Sequence, residues 1–307
     1  MQKTLENFLS ETKIKDTKVI IGFSAGPDSV CLASLFSKIK NKYNLDVILA
    51  YFNHGWRKEA LEEEDFTKNF ANNCNFLYEI GHARKNAKKT EETARELRYE
   101  FFEKVAKKYD TRFVFLAHNK NDNIETLIYR IIKGTSIAGL CAIPKIRDIY
   151  YRPLLDITKK EILAYIEKNN LKYKIDSSNE NSKYKRNLIR NKILPIFEEI
   201  NPKYIDSINN LILNSIQSSK IIQKELEKTK QEIFKDDKIF YEKYTNLQQE
   251  MRLEILNDFI GGYLKYRNRK NLLMYDDFIM QNICSKTSLN QNCFLRTRRK
   301  MIFIEKR

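Results

Sequence analysis

Hydrophobic and polar positions repeat along the first half of this chain with two alternating periods. Leu5, Phe8 and Leu9 share one face of a short helix within residues 1–16. The β-branched run Val19-Ile20-Ile21 predicts a strand over 18–23, buried on both faces. Small and polar residues follow from Ser24 to Ser29, and then Leu32, Leu35, Phe36 and Ile39 predict a helix over about 29–42. The same alternation continues. Strands are predicted at 46–52, 76–80 and 113–116, with helices at 62–73, 91–107 and 121–132. Strands that alternate with helices predict an α/β fold with a doubly wound parallel sheet and right-handed crossovers.

The second half is mostly helical in pattern. Helices are predicted over 157–169, from about Tyr184, and over 205–230, where Ile205, Ile208, Ile212, Ile216 and Ile222 recur near helical spacing. Residues 245–265 and 274–285 also suit helices, and 294–304 suits a strand interrupted at Arg298-Arg299-Lys300. A polar stretch covers 176–181, and a boundary is expected near 204, with residues 205–307 forming a smaller, mostly helical domain.

Charge adds a partner class. The chain has 56 Lys and Arg against 40 Asp and Glu, a net charge of +16. Residues 201–307 carry 20 basic and 13 acidic side chains, so the excess is spread over both halves. A polyanion is the expected partner, nucleic acid first, although a lysine-rich proteome gives the same bias. Cys31, Cys74, Cys141, Cys284 and Cys293 are scattered and contain no Cys-x-x-Cys pair, which disfavours a zinc ribbon, an iron–sulfur cluster or a disulfide framework. Free thiols, no signal-peptide layout and no apolar run near 18 residues lead to the expectation of a cytoplasmic protein with no membrane partner.

In a doubly wound sheet, ligands sit at the carboxyl ends of the strands. The loop Ser24-Ala25-Gly26-Pro27-Asp28-Ser29 lies there, between strand and helix, and suits a phosphate at a helix N-terminus. It is not a Walker A loop, because no Lys-Ser/Thr pair follows its glycine. An ordinary strand-to-helix turn with capping residues is the alternative.

The loop resembles the SGGxDS loop of the PP-loop ATP pyrophosphatases, with Ala25 in place of the first glycine. Further segments follow in order: Asn53-His54-Gly55-Trp56-Arg57, Glu92 to Tyr99, Leu116 to Thr126, Lys133-Gly134 with Gly139-Leu140, and Arg152-Pro153-Leu154-Leu155. Asp176 to Asn179, Arg186 to Arg190 and Leu194-Pro195 complete the set. Over about residues 18–202 this series resembles the tRNA(Ile) lysidine synthetase family, in a short form.

That resemblance implies an adenine-nucleotide alpha hydrolase-like catalytic domain over 1–204 and a tRNA-contacting domain over 205–307. It implies ATP and Mg²⁺, adenylation of the C2 carbonyl oxygen of the wobble cytidine in a CAU anticodon, and displacement of AMP by free L-lysine. Ser24, Ala25, Gly26, Pro27, Asp28, Ser29, His54, Arg95, Arg98 and His118 are the implied nucleotide contacts. Asp28, Asp122, Arg186 and Arg190 are the implied catalytic residues, with Asp28 and Asp122 holding the metal and Glu125 a further candidate.

Each residue also has an ordinary role open to it. Asp28 and Asp122 suit helix caps, Glu125 suits a solvated helix surface, and the histidines suit structural positions, with His82 incidental. Arg95 could pair with Glu92, and Lys183 to Lys192 could be a solvated basic helix face. Asn121 stands where the family usually has Asp, and Asn123 where it has Gln. Arg296, Arg298, Arg299 and Lys300 are candidates for phosphate contacts. A PP-loop tRNA thiolase, a synthetase acting on a small metabolite and a non-catalytic RNA-binding protein remain as alternatives.

Overall fold

A computed structural model describes residues 1–56, 60–84, 90–174, 185–264, 268–281 and 284–307, and of Glu91 and Arg186 the backbone only. Arg57, the 176–181 stretch, Lys183 and the Arg186 side chain lie outside the described part. The chain forms two compact units, Met1–Ile216 and Gln217–Arg307.

In the first unit the elements run α1 (Gln2–Thr12), β1 (Thr17–Phe23), α2 (Pro27–Tyr43), β2 (Leu45–Asn53), α3 (Ala60–Asn73) and β3 (Leu77–His82). Then come α4 (Glu91–Lys108), β4 (Val114–Phe115), α5 (Lys120–Lys133), α6 (Ile137–Leu140), β5 (Ile146–Arg147), β6 (Tyr150–Tyr151) and α7 (Lys159–Lys168). After α8 (Lys185–Leu188), a π-helical turn at Ile189–Ile193 leads into α9 (Leu194–Ile200) and α10 (Tyr204–Ile233).

The sheet order is β3-β2-β1-β4-β6-β5, and all of its neighbours pair in parallel except the edge strand β5. Alternation along β1 explains its two burial faces. Val19, Ile21 and Phe23 pack with Leu32, Leu35 and Phe36 of α2, Leu5 of α1 and Ile162 of α7. Ile20 faces the other way, onto Phe102, Val105 and Ala106 of α4. Helices on opposite faces are what connections of one hand produce when the strand order turns at β1. Gly22 lets α4 approach, since a Cβ there would lie 2.7 Å from Leu116 and 2.9 Å from Phe102.

Several expected boundaries move. The strand expected over 113–116 contracts to Val114–Phe115, and the hairpin of β5 and β6 extends the sheet at its edge. The helix expected from about Tyr184 is described from Lys185 and is interrupted by the π turn, so Arg186 and Arg190 are not on one regular α-helical face.

The second unit contains the rest of α10, then β7 (Phe234–Lys235), β8 (Lys238–Phe240), α11 (Tyr241–Thr245), α12 (Gln249–Ile260) and a 3₁₀ turn at Gly261–Tyr263. It ends with α13 (Arg269–Gln281), β9 (Ser285–Ser288), β10 (Cys293–Arg298) and β11 (Met301–Lys306). Helices dominate, as the pattern predicts, but five strands form an antiparallel sheet in the order β7-β8-β11-β10-β9. The helix expected over 274–285 stops at Gln281, and Ser285–Ser288 pairs with β10.

Ile239, Leu295 and Ile302 of this sheet pack on Ile255, Leu256, Ile260 and Ile279. Arg252 forks onto Asp276, 2.9 Å from each carboxylate oxygen, and Tyr244 donates to the same carboxylate at 2.8 Å. Asp276 is fully buried, so these donors satisfy a charge that could not stand alone there.

Candidate active site

The parallel strands all end at one edge of the sheet, and the loops after β1, β2 and β4 carry the candidate residues to it. The loop after β1 turns sharply. Ala25 has φ 57, in the left-handed region, and is fully buried. Alanine thus adopts the conformation that the glycine of the family pattern would take without strain. Gly26 is the N-cap of α2, Pro27 fills the first helical position, and Asp28 lies in the first turn.

The loop's hydroxyls stabilise its own shape. Ser29 Oγ accepts from the Ser24 N–H at 3.2 Å and donates to the Gly26 carbonyl at 3.0 Å, while Ser24 Oγ lies 3.3 Å from it. Lys174 N–H donates to the Ala25 carbonyl at 2.9 Å. Ser29 is buried and already engaged, so the open N-terminal turn of α2 and the Ser24 side chain are what the loop offers an anion.

Asn119 ties this loop to the one after β4. Its side-chain Nδ2 donates to Asp28 Oδ1 at 3.1 Å. Its backbone N–H donates to Asp122 Oδ2 at 2.9 Å, and its Oδ1 accepts from the Asp122 N–H at 3.0 Å. The last two bonds form a capping box at the start of α5, with Asn119 as N-cap. Asp28 and Asp122 therefore converge on one residue, as the doubly wound geometry predicts.

Both carboxylates also have cations. Lys159 Nζ donates to Asp28 Oδ2 at 2.7 Å, and Arg190 Nη2 lies 3.4 Å from Asp122 Oδ1. Arg190 then forks onto Glu125 at 2.6 and 2.9 Å. Glu125 is only 3% exposed, so of its two expected roles the solvated helix surface does not hold.

Burial first, then the charges of Glu125 and Asp28, push the Asp122 carboxyl up to about 7, against the pull of the Asn119 N–H and Arg190. Burial works against the charge of Arg190, but Glu125, Asp122 and Asp28 together raise its pKa above the ordinary value.

Two carboxylates with about a quarter of their side-chain surface open suit a hard cation that keeps waters and takes phosphate oxygens. Among the described residues, no group of three or more His, Cys, Asp and Glu is placed to enclose a metal by itself. Asp28 and Asp122 are the carboxylates that such a cation would find beside the loop.

The remaining candidates are placed more loosely. His54 packs between Phe52 and Trp56, with ring centroids 4.9 and 5.4 Å away. Its loop is shaped by Asn53, whose Oδ1 accepts from the Gly55 N–H at 2.6 Å and whose Nδ2 donates to Glu64 at 2.5 Å. His82, expected to be incidental, shares the same Glu64 oxygen at 2.9 Å. His118 is half-buried just before Asn119.

Arg95 stacks 4.9 Å over the Tyr99 ring and donates to its hydroxyl at 3.2 Å, and Arg98 lies partly buried on the same helix. Arg152 is buried and donates to the Pro144 carbonyl at 3.0 Å. Asn121 accepts from the Lys159 N–H at 2.9 Å and Asn123 from the Ile143 N–H at 2.7 Å, so both departures from the family pattern are ties between segments.

The sequence singled out neither Asn119 nor Lys159. Each has a legible neighbour signal: Asn119-x-x-Asp122 and Thr158-x-x-Glu161 are both capping boxes. In the second unit, Arg296 pairs with Glu305 and Lys300 with Glu242, whereas Arg298 and Arg299 are exposed at the β10–β11 turn.

Comparison with known proteins identifies the family of the fold. A family model described as the PP-loop domain matches residues 1–197. A tRNA(Ile)-lysidine synthase of Clostridium perfringens is 37% identical over 239 residues, covering 74% of this chain and 51% of that protein. One from Thermotoga maritima is 32% identical, with 74% and 55% covered. The chain spans about half the length of these curated relatives. Among solved structures, the U34-tRNA thiolase NcsA from Methanococcus maripaludis, with its [4Fe-4S] cluster, shares the fold at a TM-score of 0.58. That likeness has 20% identity and covers 70% of this chain and 77% of the thiolase.

Proposed function

This chain belongs to the PP-loop domain family, and from that premise we propose that it is an ATP-dependent ligase that converts the wobble cytidine of a CAU-anticodon tRNA(Ile) to lysidine. The observation that carries the reading is Asn119 binding both Asp28 and Asp122 beside the phosphate loop. The named relatives support the choice of substrate.

The proposed reaction has two steps. The cytidine C2 oxygen attacks the α-phosphorus of ATP, the bond to pyrophosphate breaks with its electron pair, and the base carries AMP. The ε-amine of lysine then attacks C2, AMP leaves, and the amine loses a proton. A carbonyl oxygen leaves poorly from cytosine and AMP leaves well, which is why the first step is needed. The role of the protein is to position the reactants and to offset phosphate charge. The α2 N-terminus and Ser24 face the phosphates, and Asp28 and Asp122 would hold Mg²⁺, which supplies charge neutralisation when bound. Arg190, held by Glu125, keeps a guanidinium beside Asp122. Residues 205–307 supply further tRNA contacts in this reading, and the protein acts in the cytoplasm. No helix of the described residues is long and apolar enough to cross a membrane.

A thiolase reading has less support. No Cys-x-x-Cys occurs, and Cys31, on the helix after the loop, is buried with its thiol pushed up to about 12 by burial and by Asp28. AMP release from ATP that requires both lysine and tRNA tests the proposal. A thiolase would release AMP without lysine, and a binding protein would release none.

A further inference from the structure

The loop after β1 lacks the lysine that a Walker A loop sends to the outer phosphates, and the fold brings one from elsewhere. Lys159 begins α7, more than a hundred residues later, and its ammonium lies 2.7 Å from Asp28 Oδ2. Its backbone is held in place, because its N–H donates to Asn121 Oδ1 at 2.9 Å, next to Asp122. Thr158 caps the same helix with a capping box. Lys159 is thus anchored by its main chain between the two acidic segments. Its four-carbon arm remains about one-third exposed and able to turn.

Among the described residues, two other cations of this region already have carboxylate partners. Arg190 forks onto buried Glu125, and Lys174 pairs with Glu62. The loop's inner hydroxyl, Ser29, is spent on Gly26 and Ser24. A cation held by Asp28 would compete with Lys159 for that carboxylate, and a phosphate chain at the loop would offer the ammonium a second anion.

We infer that Lys159 is a catalytic residue that binds the β,γ-diphosphate of ATP and stabilises pyrophosphate as it leaves. The inference rests on the proposed ATP chemistry and assigns a part of it. In the adenylation step the base oxygen bonds to Pα, the Pα–O bond to Pβ breaks, and both electrons go to pyrophosphate. Lys159 donates hydrogen bonds to that growing charge and transfers no proton.

Binding measured by calorimetry on the full chain, with Mg²⁺ and without tRNA, separates this role from a structural one. The probes are α,β-methylene-ATP, which cannot be cleaved at the reacting bond, inorganic pyrophosphate and AMP. Lys159→Met should weaken the first two roughly 10- to 100-fold and leave AMP within about twofold, as expected for loss of one charge-assisted bond to the outer phosphates. Lys159→Arg, which keeps the charge, should recover most of the loss, and unfolding midpoints of the variants confirm that they fold.

Equal weakening of AMP and the ATP analogue would overturn the inference, since Lys159 would then act only by setting Asp28. Unchanged affinity for every probe would overturn it too. A folded wild-type chain that binds none of the probes would instead remove the ATP reading, and this inference with it.

Discussion

Arg190 grips Glu125 with two hydrogen bonds, Nε to Oε1 at 2.6 Å and Nη2 to Oε2 at 2.9 Å. The guanidinium comes from a π-helical turn and the carboxylate from the second turn of α5. Because Glu125 is buried, Arg190→Met strands a charge. The expected loss is about 1–3 kcal/mol of stability, less than for a fully buried pair because Arg190 is partly open to water. Denaturant unfolding checks this. The double variant Glu125→Met with Arg190→Met should be more stable than the sum of the single changes predicts.

Asp122 should make stability depend on pH. Its carboxyl lies at about 7 against an ordinary 3.8, so the folded chain holds this proton more tightly than the unfolded chain does. The stabilising contribution is fully present below pH about 4 and is lost as pH rises through about 7. Asp122→Asn keeps an acceptor for the Asn119 N–H and removes the titration. It should match the wild type near pH 4 and exceed it near pH 8 by about 1–3 kcal/mol. Unfolding curves across that range decide the matter.

Ala25 sets two effects against each other. Glycine would relieve left-handed strain of about 1 kcal/mol but would lose a buried methyl of similar worth and loosen the unfolded chain. Ala25→Gly should therefore shift stability by less than about 1 kcal/mol. Ala25→Val puts a branched side chain at φ 57 in a fully buried site and should cost about 2 kcal/mol or more. Thermal unfolding of the two variants separates these outcomes.

The α/β fold of the first unit was legible where residue type and period agree. Val19-Ile20-Ile21 followed by small residues leaves little choice but strand and loop, and β1 and α2 fall within two residues of expectation. The PP-loop family was legible from ordered segments, because the phosphate loop and the Leu116–Thr126 loop keep their spacing. Shorter elements carried no period: β5 and β6 have two residues each, and Ser285–Ser288 has no apolar alternation to mark a strand. Glu125 was left between the site and a solvated surface because a single helix does not reveal that a distant arginine will cover it. Lys159 looked like one lysine among many, since its partner Asp28 is brought to it only by the closing of the sheet.

The proposed tRNA partner should be held largely by phosphate contacts. If at least five basic groups neutralise phosphates, log affinity should fall against log salt with a slope near −0.9 for each, about −4.5 or steeper. Arg298 and Arg299 are exposed at a tight turn where Arg299 and Lys300 have φ 51 and 63. Replacing both arginines by alanine should flatten that slope by about 1–2. A salt-independent affinity would contradict the polyanion partner.

The most direct measurement uses the purified chain with ATP, Mg²⁺, radiolabelled lysine and a CAU-anticodon isoleucine tRNA transcript, beside Asp28→Asn. Acid-precipitable label reports lysine joined to RNA. The account predicts label with the wild type and little or none with the variant, because the variant removes the carboxylate charge that Asn119 and Lys159 bind and that a metal would need. A folded wild-type chain that leaves the tRNA unlabelled would contradict lysidine formation by this chain.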